Sequence, residues 1–176
     1  EKLSTDRPYY LIIDCREECT GLLDLEIDGG KGSKIYLGWG EHLADKRVRS
    51  HIGARYFECS YGCMEGKQNF IHYFHRMGLR YLELHVYPAE GRNTDCLYAG
   101  ILPLMYPVKE SAYLRIPDQL HQKIYDVAVK TLKLCMHEHY EDCPWREQAL
   151  YAMDALNQAL CGYYCFGEYP FAASCL

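Results

Sequence analysis

The hydrophobic pattern of this chain changes its period once, near residue 110, and that change restricts the folds open to it. Over Gly21–Asp28 apolar residues alternate with acidic ones, as in a strand with one buried face. Further along, apolar residues recur every three or four positions, as on one face of a helix, at Leu120, Ile124 and Val127. The sequence therefore predicts a β region followed by a helical region.

The β region contains several short segments of strand-like composition. The predicted strands are Pro8–Cys15, Gly21–Asp28, Lys34–Gly40, Arg55–Cys59, Asn69–Phe74, Leu79–Val86 and Tyr98–Val108. Glycine-rich turns separate some of them, and the last contains Pro103 and Pro107, which suits an edge strand. Short alternating strands of this kind favour an antiparallel, jelly-roll-like β-sandwich, which we assign to residues 1–112.

The helical region, residues 113–176, reads as two helices joined by a short link, an αα-hairpin. The first is predicted from Pro117 to about His139. The second is predicted from Pro144 to about Cys165, because proline suits the first helical turn. Gly167 is expected to end the second helix. Its predicted buried stripe is Trp145, Ala149, Ala152, Met153, Leu156 and Leu160.

Composition excludes some functional classes. The net charge is −5 and basic residues form no patch, which argues against nucleic acid as a partner. The apolar runs are too short to span a bilayer, so we predict no membrane partner. The chain begins at Glu1 instead of Met and has no secretory signal. We therefore expect a trimmed piece, and the compartment and the oligomeric state stay open.

Ten cysteines are a high count, and three interpretations of them are open. Several lie among apolar residues, where a free thiol behaves as a small hydrophobe, and this is the interpretation we favour. Disulfides and a metal site are the alternatives. The three-residue gaps in Cys15/Cys19, Cys59/Cys63 and Cys161/Cys165 are not those of zinc ribbons.

Three acidic residues near the second predicted helix form the candidate site. Asp142 precedes Pro144, and Glu147 and Asp154 are seven residues apart, almost two helical turns. If the helix starts at Pro144, all three carboxylates converge near its N-terminus, as protonation or binding of a hydroxylated substrate requires. The structural alternatives are that Asp142 caps the helix and that Glu147 and Asp154 lie on a solvated face.

No other constellation competes with these acids. His137 and His139 are two apart and do not form a metal pair on a helix. The segment Gly29–Gly32 lacks the spacing of a phosphate-binding loop, and no Gly-x-Ser-x-Gly element is present. We therefore predict neither a metal nor a cofactor.

The run Glu141–Glu147 (Glu-Asp-Cys-Pro-Trp-Arg-Glu), followed by Asp154, resembles the active-site signature of the bacterial α-L-rhamnosidases of glycoside hydrolase family 78. The similarity extends to Ile124–Asp142, the helix and loop that lead into the signature. It also covers Gly21–Leu43 and Phe70–Val86, which resemble the β-sandwich preceding the catalytic domain of that family.

The resemblance implies an inverting glycoside hydrolase whose catalytic domain is a six-hairpin (α/α)6 toroid, with a terminal α-L-rhamnoside as carbohydrate substrate. It implies that Glu147 is the general acid and that Asp142 and Asp154 bind sugar hydroxyls. Arg146 and Trp145 would contact or support the substrate. Carboxylates near Glu147 favour its protonated form, as a general acid needs.

The family's general base lies on a later hairpin, and about 60 residues cannot form twelve helices. We therefore expect a fragment with a truncated toroid that is inactive on its own. A non-catalytic carbohydrate-binding or structural β-sandwich module is the alternative, supported by the 17 tyrosines and two tryptophans that could stack on sugar rings. A metal-stabilised structural protein, resting on the cysteines, is the third interpretation.

Overall fold

The computed structural model describes residues 6–109 and 114–175. They form two compact units, and the division falls between Pro103 and Leu104. The predicted domain boundary at 112/113 lies outside the described residues. The first unit is built of β-strands and the second mainly of helices, in the order that the change of period predicts.

Two long strands dominate the first unit. Its strands are β1 (Tyr9–Gly29), β2 (Lys34–Gly40), β3 (Leu43–Ala44), β4 (Arg47–Val48), β5 (His51–Ile52), β6 (Arg55–Tyr56), β7 (Glu58–Gly62), β8 (Gly66–Tyr87) and β9 (Thr94–Pro103). The main sheet has the order β7-β2-β8-β1-β9, with every neighbouring pair antiparallel. Because β1 and β8 are 21 and 22 residues long, each unites two of the predicted short strands.

Each long strand contributes to both layers of an antiparallel sandwich. In one layer, the start of β1 pairs with the end of β8, and β2 and β7 follow on the far side of β8. In the other layer, the end of β1 pairs with the start of β8 on one side and with β9 on the other. The pairing of β1 with β8 shifts between Asp14 and Cys19, where Arg16 has a φ of 68°. Such bulges bend a strand. The two parts approach each other where the Tyr61 and Phe70 rings lie 4.8 Å apart.

The sandwich core consists of the residues that the alternation predicts to point inward. Each of the following is at most 2% exposed: Leu23, Leu25, Ile27, Ile35, Leu37, Trp39, Leu82, Leu84 and Val86. The fold-class prediction is therefore confirmed for this region. Glu83 lies between Leu82 and Leu84, so its side chain points to the other face of the sheet, yet only 5% of its surface is exposed.

The second unit contains α1 (Gln119–Leu134), α2 (Ala152–Phe166) and the short α3 (Pro170–Ser174). The Asp118 side chain caps α1 by accepting a hydrogen bond from the His121 N–H at 2.9 Å. As predicted, Gly167 ends α2, with a φ of 63° that glycine adopts without strain. The αα-hairpin is thus present, although α1 ends at Leu134 and not near His139.

The core of this unit lies at the C-terminal ends of the helices. It is formed by Leu132, Met136, Tyr140, Phe166, Phe171 and Ala172. The apolar residues nearer the helix starts are exposed: Leu120, Ile124, Val127, Met153, Leu156 and Leu160. The prediction of a buried stripe is therefore wrong for Met153, Leu156 and Leu160, because the core formed by the described residues lies against the C-terminal ends of the helices. None of the described helices combines the length and apolar character needed to cross a membrane.

Candidate active-site loop

The segment between α1 and α2, residues 135–151, forms a folded loop anchored to both helices. The Glu141 N–H donates to the Cys135 carbonyl at the end of α1, at 2.9 Å. On the other side, the Gln158 side chain of α2 donates to the Glu141 carbonyl at 2.7 Å. The buried Glu141 carboxylate also lies 3.2 Å from Nδ1 of His137. The residue before Asp142 is therefore fixed from three directions.

The structure corrects the predicted start of the second helix. Residues 144–147 make only a turn, and Gln148 has a φ of 52°, which interrupts helical geometry before α2 begins at Ala152. Asp142 is the physical reason. Its N–H donates to the Ala149 carbonyl at 3.1 Å, and its carboxylate accepts from the Ala149 N–H at 3.0 Å. These bonds close a loop where a helix starting at Pro144 was predicted.

Two of the three predicted acids meet inside this loop. Ligating atoms of Asp142, Cys143 and Glu147 lie within 4.8 Å of one another. The Cys143 sulfur lies 3.8 Å from Glu147 Oε2 and accepts from the Glu147 N–H at 3.5 Å. The loop therefore brings Asp142 and Glu147 together although neither residue lies on a helix. Sequence reasoning missed Cys143 as the connecting group, although its position next to Asp142 was a visible signal.

Asp142 is the member of the group with a clear preference for its ionised form. Burial alone would raise its pKa, but hydrogen bonds from the Ala149 N–H and from Cys143 and Glu147 outweigh burial and lower the pKa. The loop thus holds the ionised Asp142 carboxylate close to the carboxyl group of Glu147.

The three other predicted site residues lie in different surroundings. Arg146 is exposed, with its Nη2 atom 3.7 Å from Glu147 Oε2. Trp145 is buried, with 4% of its surface exposed. Asp154 is exposed in the first turn of α2. Among the described residues, Asp154 is not a member of the group formed by Asp142, Cys143 and Glu147.

The same group could ligate a metal ion only with Cys143 as a thiolate. Burial raises the pKa of the Cys143 thiol, and its hydrogen bond with Asp142 raises it further, against opposing bonds from backbone N–H groups. A neutral thiol is a poor ligand because metal binding requires its deprotonation. All ten cysteines are free in the described chain, where Cys63 and Cys135 are buried and Cys161 is exposed.

Comparison with solved structures finds several rhamnosidases with a part similar in fold to this chain. A family 78 rhamnosidase from Bacillus sp. GL1 is 28% identical, with a TM-score of 0.78, over 90% of this chain. A rhamnosidase from Klebsiella oxytoca, solved with rhamnose bound, is 19% identical, with a TM-score of 0.80, over 98% of this chain. The α-L-rhamnosidase from Dictyoglumus thermophilum is 16% identical, with a TM-score of 0.71, over 94% of this chain.

The chain corresponds to a minor part of these enzymes: it spans 16%, 36% and 20% of their respective lengths. No curated protein matches the sequence. Residues 5–101, more than half of the chain, match the family described as the bacterial alpha-L-rhamnosidase concanavalin-like domain. With the sandwich, the αα-hairpin and these matches in view, the chain belongs to the bacterial α-L-rhamnosidase concanavalin-like domain family.

Proposed function

We propose that the chain is part of an inverting α-L-rhamnosidase that releases terminal rhamnose from glycans or glycosides, with Glu147 as general acid. The observation that carries this proposal is the pairing of Asp142 with Glu147 in the loop between α1 and α2. Family membership rests on the sandwich, and the loop adds the carboxyl group that glycosidic bond cleavage requires.

The proton for the leaving group is proposed to reside on Glu147. Asp142 is the ionised neighbour of this acid, because hydrogen bonds outweigh burial and lower its pKa. Glu147 would transfer this proton to the glycosidic oxygen as the bond to the sugar breaks, and the aglycone would leave as an alcohol. The nearby Arg146 guanidinium would stabilise the Glu147 carboxylate that results.

The general base must be a different carboxylate. An inverting glycosidase places a water molecule between two carboxyl groups about 6.5–9.5 Å apart. Atoms of Asp142 and Glu147 lie within 4.8 Å of one another, which leaves no room for that water. We therefore propose that the base comes from outside this pair, and that the 176-residue chain alone does not turn over substrate.

The remaining predicted residues divide by exposure. Arg146 and Asp154 are exposed and are proposed to contact sugar hydroxyls, and Asp142 would add a contact through the oxygen not bonded to Ala149. Trp145 was predicted as a substrate contact. With 4% of its surface exposed, it is proposed to support the loop from beneath.

Replacement of the proposed acid tests this function in the complete enzyme. Glu147→Gln keeps the shape of the side chain but removes its proton donor, so kcat/KM on an alkyl α-L-rhamnoside should fall about 10²–10⁴-fold. The loss should be smaller on an aryl rhamnoside whose leaving group needs less protonation. The matched control is Glu138→Gln, an exposed residue of the same loop, which should keep full activity. Full activity of Glu147→Gln on the alkyl substrate would exclude Glu147 as the acid.

A non-catalytic carbohydrate-binding role remains the second candidate for the sandwich. The observation in its favour is a set of exposed aromatic rings on one face of the sheet, namely Tyr10, Tyr36 and Tyr87, each about half exposed. The Tyr36 and Tyr87 rings lie 5.7 Å apart, edge to face. Aromatic faces of this kind pack against the apolar side of sugar rings.

A further inference from the structure

The outer face of the sandwich contains a hollow of about 250 Å³ that lies entirely within the first unit. Gly38 of β2 forms its floor, and its cross-strand neighbours are Glu58 of β7 and Glu83 of β8. Tyr36 and His85, the cross-strand pair two residues away from Gly38 and Glu83, also line the hollow. The segment Arg47–Ser50 completes the rim.

Residue 38 has no side chain, which lets Ser50 pack closely over the floor of the hollow. A Cβ atom at this position would lie 3.1 Å from the Cβ of Ser50, closer than most real contacts of this kind. The two neighbouring strands carry glutamates at the same level, Glu58 and Glu83, and both line the hollow.

One side of the hollow is fixed in place. Glu83 accepts hydrogen bonds from Arg47 Nε at 2.7 Å and from the Val48 N–H at 2.8 Å, and His85 Nε2 lies 2.6 Å from its Oε1 atom. The Arg47 guanidinium also lies 4.8 Å from the centre of the Tyr10 ring. Arg47 is therefore held in one orientation by Glu83, and both oxygens of the Glu83 carboxylate already accept hydrogen bonds.

The other side of the hollow offers polar groups that are not engaged. Within residues 6–109 and 114–175, no hydrogen-bond or ion-pair partner exists for the Glu58 carboxylate, the Ser50 hydroxyl or the Tyr36 hydroxyl. All three line the hollow. A small pocket thus presents an acceptor and two hydroxyls beside the fixed Arg47.

The charges of the hollow select the kind of ligand. Two glutamates face one arginine, so an anion would be repelled. An apolar ligand would leave the polar lining without partners, which is costly. A neutral ring with several hydroxyls satisfies the lining and can place its C–H face against Tyr36. The volume is below the roughly 300 Å³ at which pockets for drug-sized ligands begin, which limits the occupant to one ring.

We propose that this hollow is a carbohydrate-binding site for a single sugar unit of a glycan. Glu58 and Ser50 would bond to its hydroxyls, Arg47 would donate to its oxygens, and Tyr36 would pack against its ring. The site would bind glycan without cleaving it. This inference does not depend on the role of Glu147, because every residue of the hollow belongs to the sandwich.

Ligand-observed saturation-transfer NMR on the 176-residue chain tests the proposal, with L-rhamnose, D-glucose, D-galactose and D-mannose as probes. At least one sugar should bind with a dissociation constant near the millimolar range. Tyr36→Ala should weaken that binding about tenfold, and Glu58→Gln several-fold, because a charge-assisted hydrogen bond becomes a neutral one. Both residues are exposed, so the variants should keep the circular dichroism of the wild type.

A control variant makes the result decisive. Glu90→Gln, exposed elsewhere in the sandwich, should leave the affinity unchanged. Absence of binding by all four sugars would overturn the proposal. It would also be overturned if Glu58→Gln and Tyr36→Ala bound the sugars as tightly as the wild type does. A failure of the proposed general acid would appear only in the hydrolysis assay of the complete enzyme.

Discussion

The two units differ in how completely they bury their apolar side chains. In the sandwich the large residues predicted to point inward are almost fully buried, and Trp39, Leu82 and Leu84 are at most 2% exposed. In the helical unit, by contrast, Met153 and Leu156 are 70% and 56% exposed. Burial of apolar surface is the main favourable term in folding. The sandwich is therefore stabilised by burial within its own core, whereas α1 and α2 gain little stabilising burial from the described residues around them.

The strongest test of this contrast is a matched pair of leucine truncations. Leu84→Ala empties a position with 0% exposure and should lower the free energy of unfolding by about 2–5 kcal/mol. Leu156→Ala, in an exposed position on α2, should change it by no more than about 0.5 kcal/mol. Trp39 and Trp145 lie in different units, so fluorescence of single-tryptophan variants during urea unfolding reports each unit separately. Equal losses for the two leucines would contradict the contrast.

An intermediate effect is expected in the loop between α1 and α2. Asp142→Ala removes the charged acceptor of the Ala149 N–H and should destabilise the helical unit by about 1–3 kcal/mol, measured through Trp145. Asp154→Ala is the control, since this exposed residue lies in the first turn of α2 and its replacement should cost about 0.3–1 kcal/mol. A loss at Asp142 no larger than at Asp154 would show that the loop does not depend on these hydrogen bonds.

The smallest effect concerns the pH dependence of the sandwich. Burial would raise the pKa of Glu83, but hydrogen bonds from Arg47, Val48 and His85 lower it below its ordinary value of 4.5. Glu83 therefore stabilises the fold above that value and loses this contribution as the pH falls through the lower pKa of the folded state. The effect should be modest because Arg47 is 48% exposed and screened by solvent.

Glu83→Gln removes only the charge and isolates this contribution. The stability difference between wild type and Glu83→Gln, followed through Trp39, should be largest near neutral pH and should shrink as the pH falls below 4.5. Glu90→Gln, at an exposed position of the same unit, is the control for the loss of one negative charge. A Glu83→Gln difference that stayed constant over the same range would rule out the ionised carboxylate as its source.

The sequence was most informative where one physical effect dominates. In strands such as Lys34–Gly40 the alternation of side chains decides which face is buried, and the fold class followed from it. The joining of the predicted strands into β1 was not foreseeable, because the bulge after Asp14 depends on its pairing with β8. A pattern that reads only neighbours along one strand does not contain that information.

The candidate site was less predictable because local and tertiary preferences compete there. Asp142 followed by Pro144 is a good helix start by local rules, yet its carboxylate binds the Ala149 N–H further along the loop. The proximity of Glu147 to Asp142 was predicted by placing Glu147 and Asp154 on one helix. In the structure α2 begins only at Ala152, so Glu147 lies outside that helix. Residue chemistry identified the acids, whereas the path of the backbone that unites them depends on contacts distant in sequence.

The shared strands β1 and β8 have a consequence for biosynthesis. β1 is complete at Gly29, but its partner is complete only at Tyr87, about 60 residues later. At a translation rate of about 5–20 residues per second, β1 waits several seconds on the ribosome with its backbone unpaired. Since neither layer can close before β8 emerges, the nascent sandwich should form late and in a single step, and chaperones would have their main opportunity to bind during that interval.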